Sequence, residues 1–450
     1  MARRRGTRTL VGATLLCALV AGCTTADPER NSPDPSPSDP STPTEAVTVS
    51  LGVYGPKALL DAYEDLAEQF SDENPSVTVD LRTHDEPESL LAEIEEGDSP
   101  DIFLMAQRHV PGLVEEERVQ PVDGLLEARQ VDFGDGYQRG GLTAFAADAA
   151  LQCMPHDVSP VVVYYNKDLV DLARLGTEGD EVPSALDGWT WEMFAQAARQ
   201  AARGPVHGVH IDPSLEALAP FIWSAGGELV DDVQAPTTLT LSSGESRDAL
   251  EQVLALVRDP RVTPTLEALE ERDAVERFVR GELAMILGSR ALTPVLRAED
   301  DLDFDVMPLP RISRLRTIAD MNGYCISSDT EHVETAADLL AFAVSSEGAA
   351  ITARTGHVVP SNLDVAHSSD FDDATQEPES SFIFNEGVRR AQSLPFVGTW
   401  PEVSASVEPD LVEMFYAPVI ELDTLLERID TRSGEVLAPE SESDAETESE

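Results

Sequence analysis

The chain has 450 residues and carries 84 acidic side chains against 31 Lys and Arg, a formal net charge of -53 at pH 7. That balance argues against a nucleic-acid binder, because phosphates need a surplus of Lys and Arg. It argues equally against electrostatic docking on anionic lipid.

The N-terminus reads Met-Ala-Arg3-Arg4-Arg5-Gly-Thr-Arg8, then an apolar run from Leu10 to Gly22. A basic head, a short apolar segment and small residues at its end predict a secretory signal over 1–22. The run is too short to cross about 30 Å of hydrocarbon. It ends Leu19-Val20-Ala21-Gly22-Cys23, which is similar to the bacterial lipobox, and so predicts an acylated Cys23. An ordinary signal with an incidental Cys, or twin-arginine export through Arg3–Arg5, are the alternatives. Asp27–Thr44 is Pro, Ser, Asp and Thr with almost nothing to bury. Residues 23–46 therefore read as a lipidated, extended tether.

The folded part runs from about Val47 to Leu437, too long for one ordinary core, and points to two domains. Val47–Val53 reads as a buried strand. Leu59, Leu60, Tyr63, Leu66, Ala67 and Phe70 recur at helical spacing until Asn74-Pro75 stops them. Val77–Leu81 and Asp101–Met105 are further strands, with a short helix Leu90–Ile94 between them. Val161–Tyr165 is a strand followed by helical Leu169–Leu175. Helices follow at Trp191–Arg203, Ser246–Val257 and Asp273–Arg280, then a strand Ala284–Leu287. Thr335–Ala343, Glu347–Thr355, Val407–Val419 and Leu422–Ile429 complete the helices. Strands alternating with helices predict a largely parallel sheet covered on both faces. The tail from Ser433 to Glu450 alternates Glu, Ser and Asp and reads as disordered, with 438–450 wholly outside the fold.

No catalytic signature is present: no Gly-rich phosphate loop, no Gly-x-Ser-x-Gly elbow, no His-Glu-x-x-His. The chain thus reads as a binder rather than an enzyme, with no cofactor. His207 and His210, and Cys153-x-x-His156, are too thin for a zinc site, so no metal is expected. Cys153 and Cys325 are the two cysteines left after the signal and the anchor. In an oxidising compartment they either pair or stay as buried thiols.

The order of segments resembles the family of extracellular solute-binding proteins typified by maltose-binding protein. The resemblance rests on Tyr63-Glu-Asp-Leu-Ala-Glu-Gln-Phe70 with Asn74-Pro75, Ser99-Pro-Asp-Ile-Phe103, Tyr165-Asn-Lys-Asp-Leu169 and Trp189-Thr-Trp191-Glu-Met-Phe194. Trp223-Ser-Ala-Gly226-Gly227, Phe278-Val-Arg-Gly281-Glu-Leu-Ala284 and Ala336–Phe342 with Val359-Pro360 follow in order. It implies a periplasmic-binding-protein-like α/β fold, with two lobes joined by a multi-strand hinge and a solute held between them. Lobe 1 would comprise 47–153 and 323–373, and lobe 2 would comprise 159–318 and 376–437. It further implies a monomer that delivers a carbohydrate to the permease of an ABC importer at the outer face of the cell membrane. On this layout Cys153 and Cys325 lie near neighbouring crossing segments of lobe 1, where a disulfide would brace the hinge.

The same layout suggests the residues that meet the solute. Trp400 and Trp223 offer flat faces for sugar C–H surfaces, while Trp189 and Trp191 read as structural. Tyr54 follows the first strand, Asp85 the second, and Gln107 and Arg108 the third. Arg290 stands where many relatives carry Trp, and Met105 stands where maltose-binding protein has an aromatic. Asn322 and Tyr324 flank Gly323 at the second crossing. Trp400→Ala would on this reading weaken binding and spare the fold. Arg108 and Arg290 also permit an anionic or peptide-like solute. A sensory or scaffold lipoprotein with a degenerate cleft, and a secreted hydrolase for which no site is visible, are the remaining alternatives.

Overall fold

The computed structural model describes residues 46–132, 134–175, 182–373 and 375–438. The signal, Cys23, the tether and the acidic tail from 439 onward lie outside the described residues.

The strands that position the site are β1 (Val47–Tyr54), β2 (Val77–His84), β3 (Ile102–Ala106), β4 (Val119–Gln120), β5 (Cys153–Pro160), β6 (Val162–Asn166), β7 (Met285–Gly288), β8 (Phe304–Met307), β9 (Thr317–Ser327) and β10 (Ala391–Gln392). One sheet has the order β10-β9-β3-β1-β2, with β4 and β5 also paired to β9. β1 is parallel to β2 and β3, whereas β9 runs antiparallel to β3, β4 and β5. The parallel expectation holds for the first three strands and for the short pairing of β9 with β10. A second sheet, β8-β6-β7, is antiparallel.

The run Val161–Tyr165 shows why a strand can be apolar throughout. Val162 and Tyr164 face the core built on the first sheet, while Val163 and Tyr165 face a second core. Successive side chains of a strand point to opposite faces, so a strand covered on both sides has no polar face. Helix α1 (Lys57–Glu73) covers the first sheet with Leu59, Tyr63, Leu66 and Phe70. The second core is closed by α2 (Trp191–Ala201), α3 (Leu215–Ala225), α4 (Gly244–Val257), α5 (Trp400–Tyr416) and α6 (Leu422–Leu437). Thr190 and Ser214 start α2 and α3 by accepting from the N–H of Met193 and Ala217, at 3.3 and 3.2 Å. Trp189 is fully buried and donates from Nε1 to the Pro308 carbonyl at 2.8 Å, a structural role as expected. Trp191 packs on Phe194 and Phe221.

Several expected boundaries change. Leu169–Leu175 holds only a 3-10 turn at Leu172–Arg174, where the Asp171 carboxylate takes the Ala173 N–H and favours a turn over a helix. The disordered tail does not begin at Ser433: α6 runs to Leu437, and the Ser433 hydroxyl is buried, accepting from the Leu239 N–H at 2.8 Å. The helix expected from Val407 starts seven residues earlier, at Trp400.

The chain passes between the sheets at two adjacent places. β5 continues through Val161 into β6, and β9 carries the return, pairing with β5 along most of its length. Cys153 and Cys325 face each other in that pairing and form a disulfide, with Cα atoms 4.4 Å apart.

Candidate functional site

The parallel strands β1 and β3 end at Tyr54 and Ala106, and a crevice opens beyond those ends, as in open α/β sheets generally. Its inner part is a cavity of about 270 Å³, lined by Gln107 and Arg108 after β3, Asp212, Ser214 and Glu216 at the start of α3, Gly288 and Ser289 after β7, and Ile318 to Asn322 of β9. Its outer part is about 620 Å³ and is reached past Gln107 and Leu394, which line both. Trp223, Phe396, Asp148 and Glu228 are among the residues of that outer part. The lining mixes apolar walls with a few polar groups that converge from both sides, the usual make-up of a small-molecule site.

Asn322 ties the crevice floor to the crossing strands. The Tyr54 hydroxyl donates to Asn322 Oδ1, and Asn322 Nδ2 donates to Asp157 Oδ1 at 2.8 Å. The Ser159 hydroxyl donates to the other Asp157 oxygen at 3.0 Å. Burial pushes the Asp157 carboxyl up to about 7, against the pull of these donors. Gln107 donates to the Ala144 carbonyl at 3.2 Å, and Arg108 donates to Glu88 at 2.7 Å. Asp320 has much of its surface open to the crevice yet is enclosed by protein. Loss of surrounding water raises its carboxyl, Ser289 and Arg108 pull it back, and Glu216 raises it further.

Of the residues expected at the site, Gln107, Arg108 and Asn322 line the inner part and Trp223 the outer part. Tyr54 stands behind Asn322, buried to 9 % exposure. The other four are placed elsewhere. Asp85 is exposed beyond β2 and lines neither part of the crevice. Arg290 is 1 % exposed. Its guanidinium lies over the rings of Phe371 and Phe384, at 4.8 and 5.0 Å, and donates to the Gly356 carbonyl and the Ser381 hydroxyl. It pins a loop and presents nothing to the crevice. Tyr324 is fully buried against His156, and Gly323, rather than admitting a ligand, is covered by the Phe145 ring. Met105 is likewise fully buried in β3.

Trp400 is 2 % exposed within the second core, at the start of α5. The expected split between binding and folding therefore reverses. Trp400→Ala should lower stability by about 3 kcal/mol through a lost core ring, read as a shift of the urea midpoint. An unchanged midpoint would return this ring to the crevice.

Asp212, Glu216, Ser289 and Asp320 were not among the expected residues. One signal for Asp320 was available: it lies two residues before Asn322 on one strand, hence on the same face. Ser214-x-x-Ala217 marks a helix start, but nothing local says that this start faces a crevice. His210 Nε2 contacts Asp212 at 2.8 Å, and that hydrogen bond holds Asp212 below the usual carboxylate range. Among the described residues no cluster of His, Cys, Asp and Glu is arranged to hold a metal ion.

Two α/β lobes, the adjacent strands that cross between them and the crevice beside those strands define a periplasmic-binding-protein-like molecule. The chain belongs to the bacterial extracellular solute-binding protein family, whose model matches residues 65–379. Among solved structures, it is similar to the ABC substrate-binding protein of Listeria monocytogenes in complex with cycloalternan, at 21% identity and TM-score 0.75, over 86% of this chain and 98% of that one. The sugar-binding protein MalE of Xanthomonas citri is similar at 18% identity and TM-score 0.74, over 90% and 100%. The GacH receptor of Streptomyces glaucescens, solved unliganded and with acarbose, is similar at 17% identity and TM-score 0.70, over 88% and 99%. No curated protein matches the sequence.

Proposed function

We propose that this chain is the substrate-binding lipoprotein of an ABC importer, which captures a carbohydrate between its lobes and delivers it to a permease. The observation that carries the reading is the crevice itself. Hydrogen-bonding side chains reach it from the end of β3, from the start of α3 and from the crossing strand β9, beside the apolar walls of Val161, Leu287 and Ile318. Hydroxyl-rich rings need such planar polar groups, and apolar faces for their C–H surfaces. Of the solved structures named above, one holds cycloalternan, one was solved with acarbose and one is a sugar-binding protein, which supports the same class.

On this reading the lobes are 47–153 with 323–373 and 159–318 with 376–437, and they close on the solute by bending at the two crossings. Acyl chains on Cys23 hold the monomer at the outer face of the membrane, and the tether from 23 to 46 gives it reach, so its effective concentration near the permease is high. The chain binds rather than catalyses and needs no cofactor.

A thermal-shift panel tests the reading. A carbohydrate present at a hundred times its dissociation constant should add about 2.7 kcal/mol of stability. If amino acids, peptides or organic acids raise the melting temperature and no carbohydrate does, the carbohydrate reading fails.

A further inference from the structure

We infer that the solute carries a positive charge, and that the crevice selects an amine-bearing carbohydrate over its neutral and acidic counterparts. The inference rests on the carbohydrate reading above and adds a charge to it.

The charged groups around the crevice are unequal. Among the described residues that line its two parts, Arg108 is the one Lys or Arg. Its guanidinium donates to Glu88 at 2.7 Å and offsets part of the negative charge at Asp320. Against it stand Asp212, Glu216 and Asp320 in the inner part and Asp148 and Glu228 in the outer part. A chain with a net charge of -53 places acids on most of its surface, but those are dispersed in bulk water. Glu216 and Asp320 differ, because they come from different walls of one narrow cavity. Glu216 lies in the first turn of α3, where its carboxylate accepts from the Ser404 hydroxyl at 2.9 Å. Asp320 lies on the crossing strand β9. Burial raises the Asp320 carboxyl most, Ser289 and Arg108 pull it back, and Glu216 adds a smaller upward push.

Closure strips water from this space. Enclosing a neutral solute leaves Glu216 and Asp320 in one cavity with Arg108 as its one lining cation, and enclosing an anion adds to the excess negative charge. An ammonium group between them reverses the sign of the interaction, and its three N–H donors match the surrounding carboxylate acceptors. Phe396, partly exposed in the outer part, offers apolar surface for the rest of a sugar. The anionic solute that Arg290 and Arg108 permitted loses one of its two cations, since Arg290 is turned into the fold.

The test is calorimetric titration and thermal shift on the full chain with a matched series. The series comprises D-glucosamine and its disaccharide, their N-acetylated neutral forms, D-glucose and D-glucuronate, with putrescine as a cation that is not a sugar. The amine-bearing sugars should bind about tenfold or more tighter than their N-acetylated forms, a preference that shrinks as salt is raised. Glu216→Gln and Asp320→Asn should each reduce that ratio several-fold while leaving the circular dichroism unchanged. The wild-type series needs no variant and decides the matter should either variant fail to fold. Equal or tighter binding of the neutral or acidic sugars overturns the inference and leaves the carbohydrate reading standing. Stabilisation by putrescine with no response to any sugar upholds the charge and overturns the carbohydrate reading. Failure of every cation in the series to raise the melting temperature overturns the inference.

Discussion

Replacing Cys153 and Cys325 by Ser should lower the stability of the folded chain by about 2–5 kcal/mol, with little change in its circular dichroism. The cysteines are 172 residues apart in sequence and directly opposed on β5 and β9. The chain leaves the first sheet at the end of β5, builds the β8-β6-β7 sheet with α2, α3 and α4, and returns along β9 before Cys325. The bond therefore closes the base of a long excursion. In the chain-entropy account, closing so long a loop removes about 5 kcal/mol of conformational freedom from the unfolded state. Measured effects run below that limit, because unfolded chains keep some structure. The folded state should change little. Both sulfurs are fully buried, and opposed residues on an antiparallel pair already lie within bonding reach. The urea midpoint of the double variant checks this. The parent chain treated with reductant should converge on the same midpoint, and a midpoint that neither treatment moves would show that the unfolded chain gains nothing from the loss of the bond.

That pairing illustrates what was and was not legible in the sequence. Apolar period and helix stops mark α1, β1, β2 and β3, because each is decided by residues close in sequence. β5 reads Cys-Met-Pro-His-Asp-Val-Ser-Pro, a pattern that no local rule takes for a strand, yet every residue of it is buried. It is held by its pairing with β9, more than 150 residues later, and that register is a property of the whole fold. The site divides in the same way. Gln107, Arg108 and Asn322 could be placed, because the ends of strands face the crevice in this architecture. Arg290 could not, because its position is set by Phe371 and Phe384, which arrive from distant parts of the chain and sandwich its guanidinium. Trp400 begins a helix whose apolar side turns it into the second core. The acids of α3 went unnoticed in so acidic a sequence, where only the fold separates a solvated carboxylate from one facing a cavity.

Two neighbours on β5 lead to the second large effect, a pH dependence of stability that is concealed in the parent chain. His156 and Asp157 are both buried, at the point where the pairing of β5 with β9 shifts register by one residue. His156 faces Tyr63, with its Nε2 at 3.3 Å from the hydroxyl, and packs on Tyr324. Asp157 faces Asn322 and Ser159. Burial pushes His156 down from 6.5 to about 4 and Asp157 up from 3.8 to about 7. For His156 the unfolded chain holds the extra proton, so its contribution is complete above pH 6.5 and is lost as pH falls toward 4. For Asp157 the folded chain holds the extra proton, so its contribution is complete below pH 3.8 and is lost as pH rises through 7. Between about pH 4 and 6.5 the two slopes are opposite, each roughly 1.4 kcal/mol per pH unit, and cancel. Removing either group exposes the other. Relative to the parent at each pH, Asp157→Asn should gain stability by about 3 kcal/mol across that window as pH rises. His156→Gln, which can keep a partner for Tyr63, should lose a similar amount over the same window. Urea midpoints at four pH values for the three proteins measure both slopes, and taking differences from the parent removes the background of the other carboxylates. Two variants that run parallel to the parent would show that neither group is held in the protonation state its burial implies. Opposite slopes would show that the crossing strand carries a neutral imidazole and a neutral carboxyl side by side in mildly acid conditions.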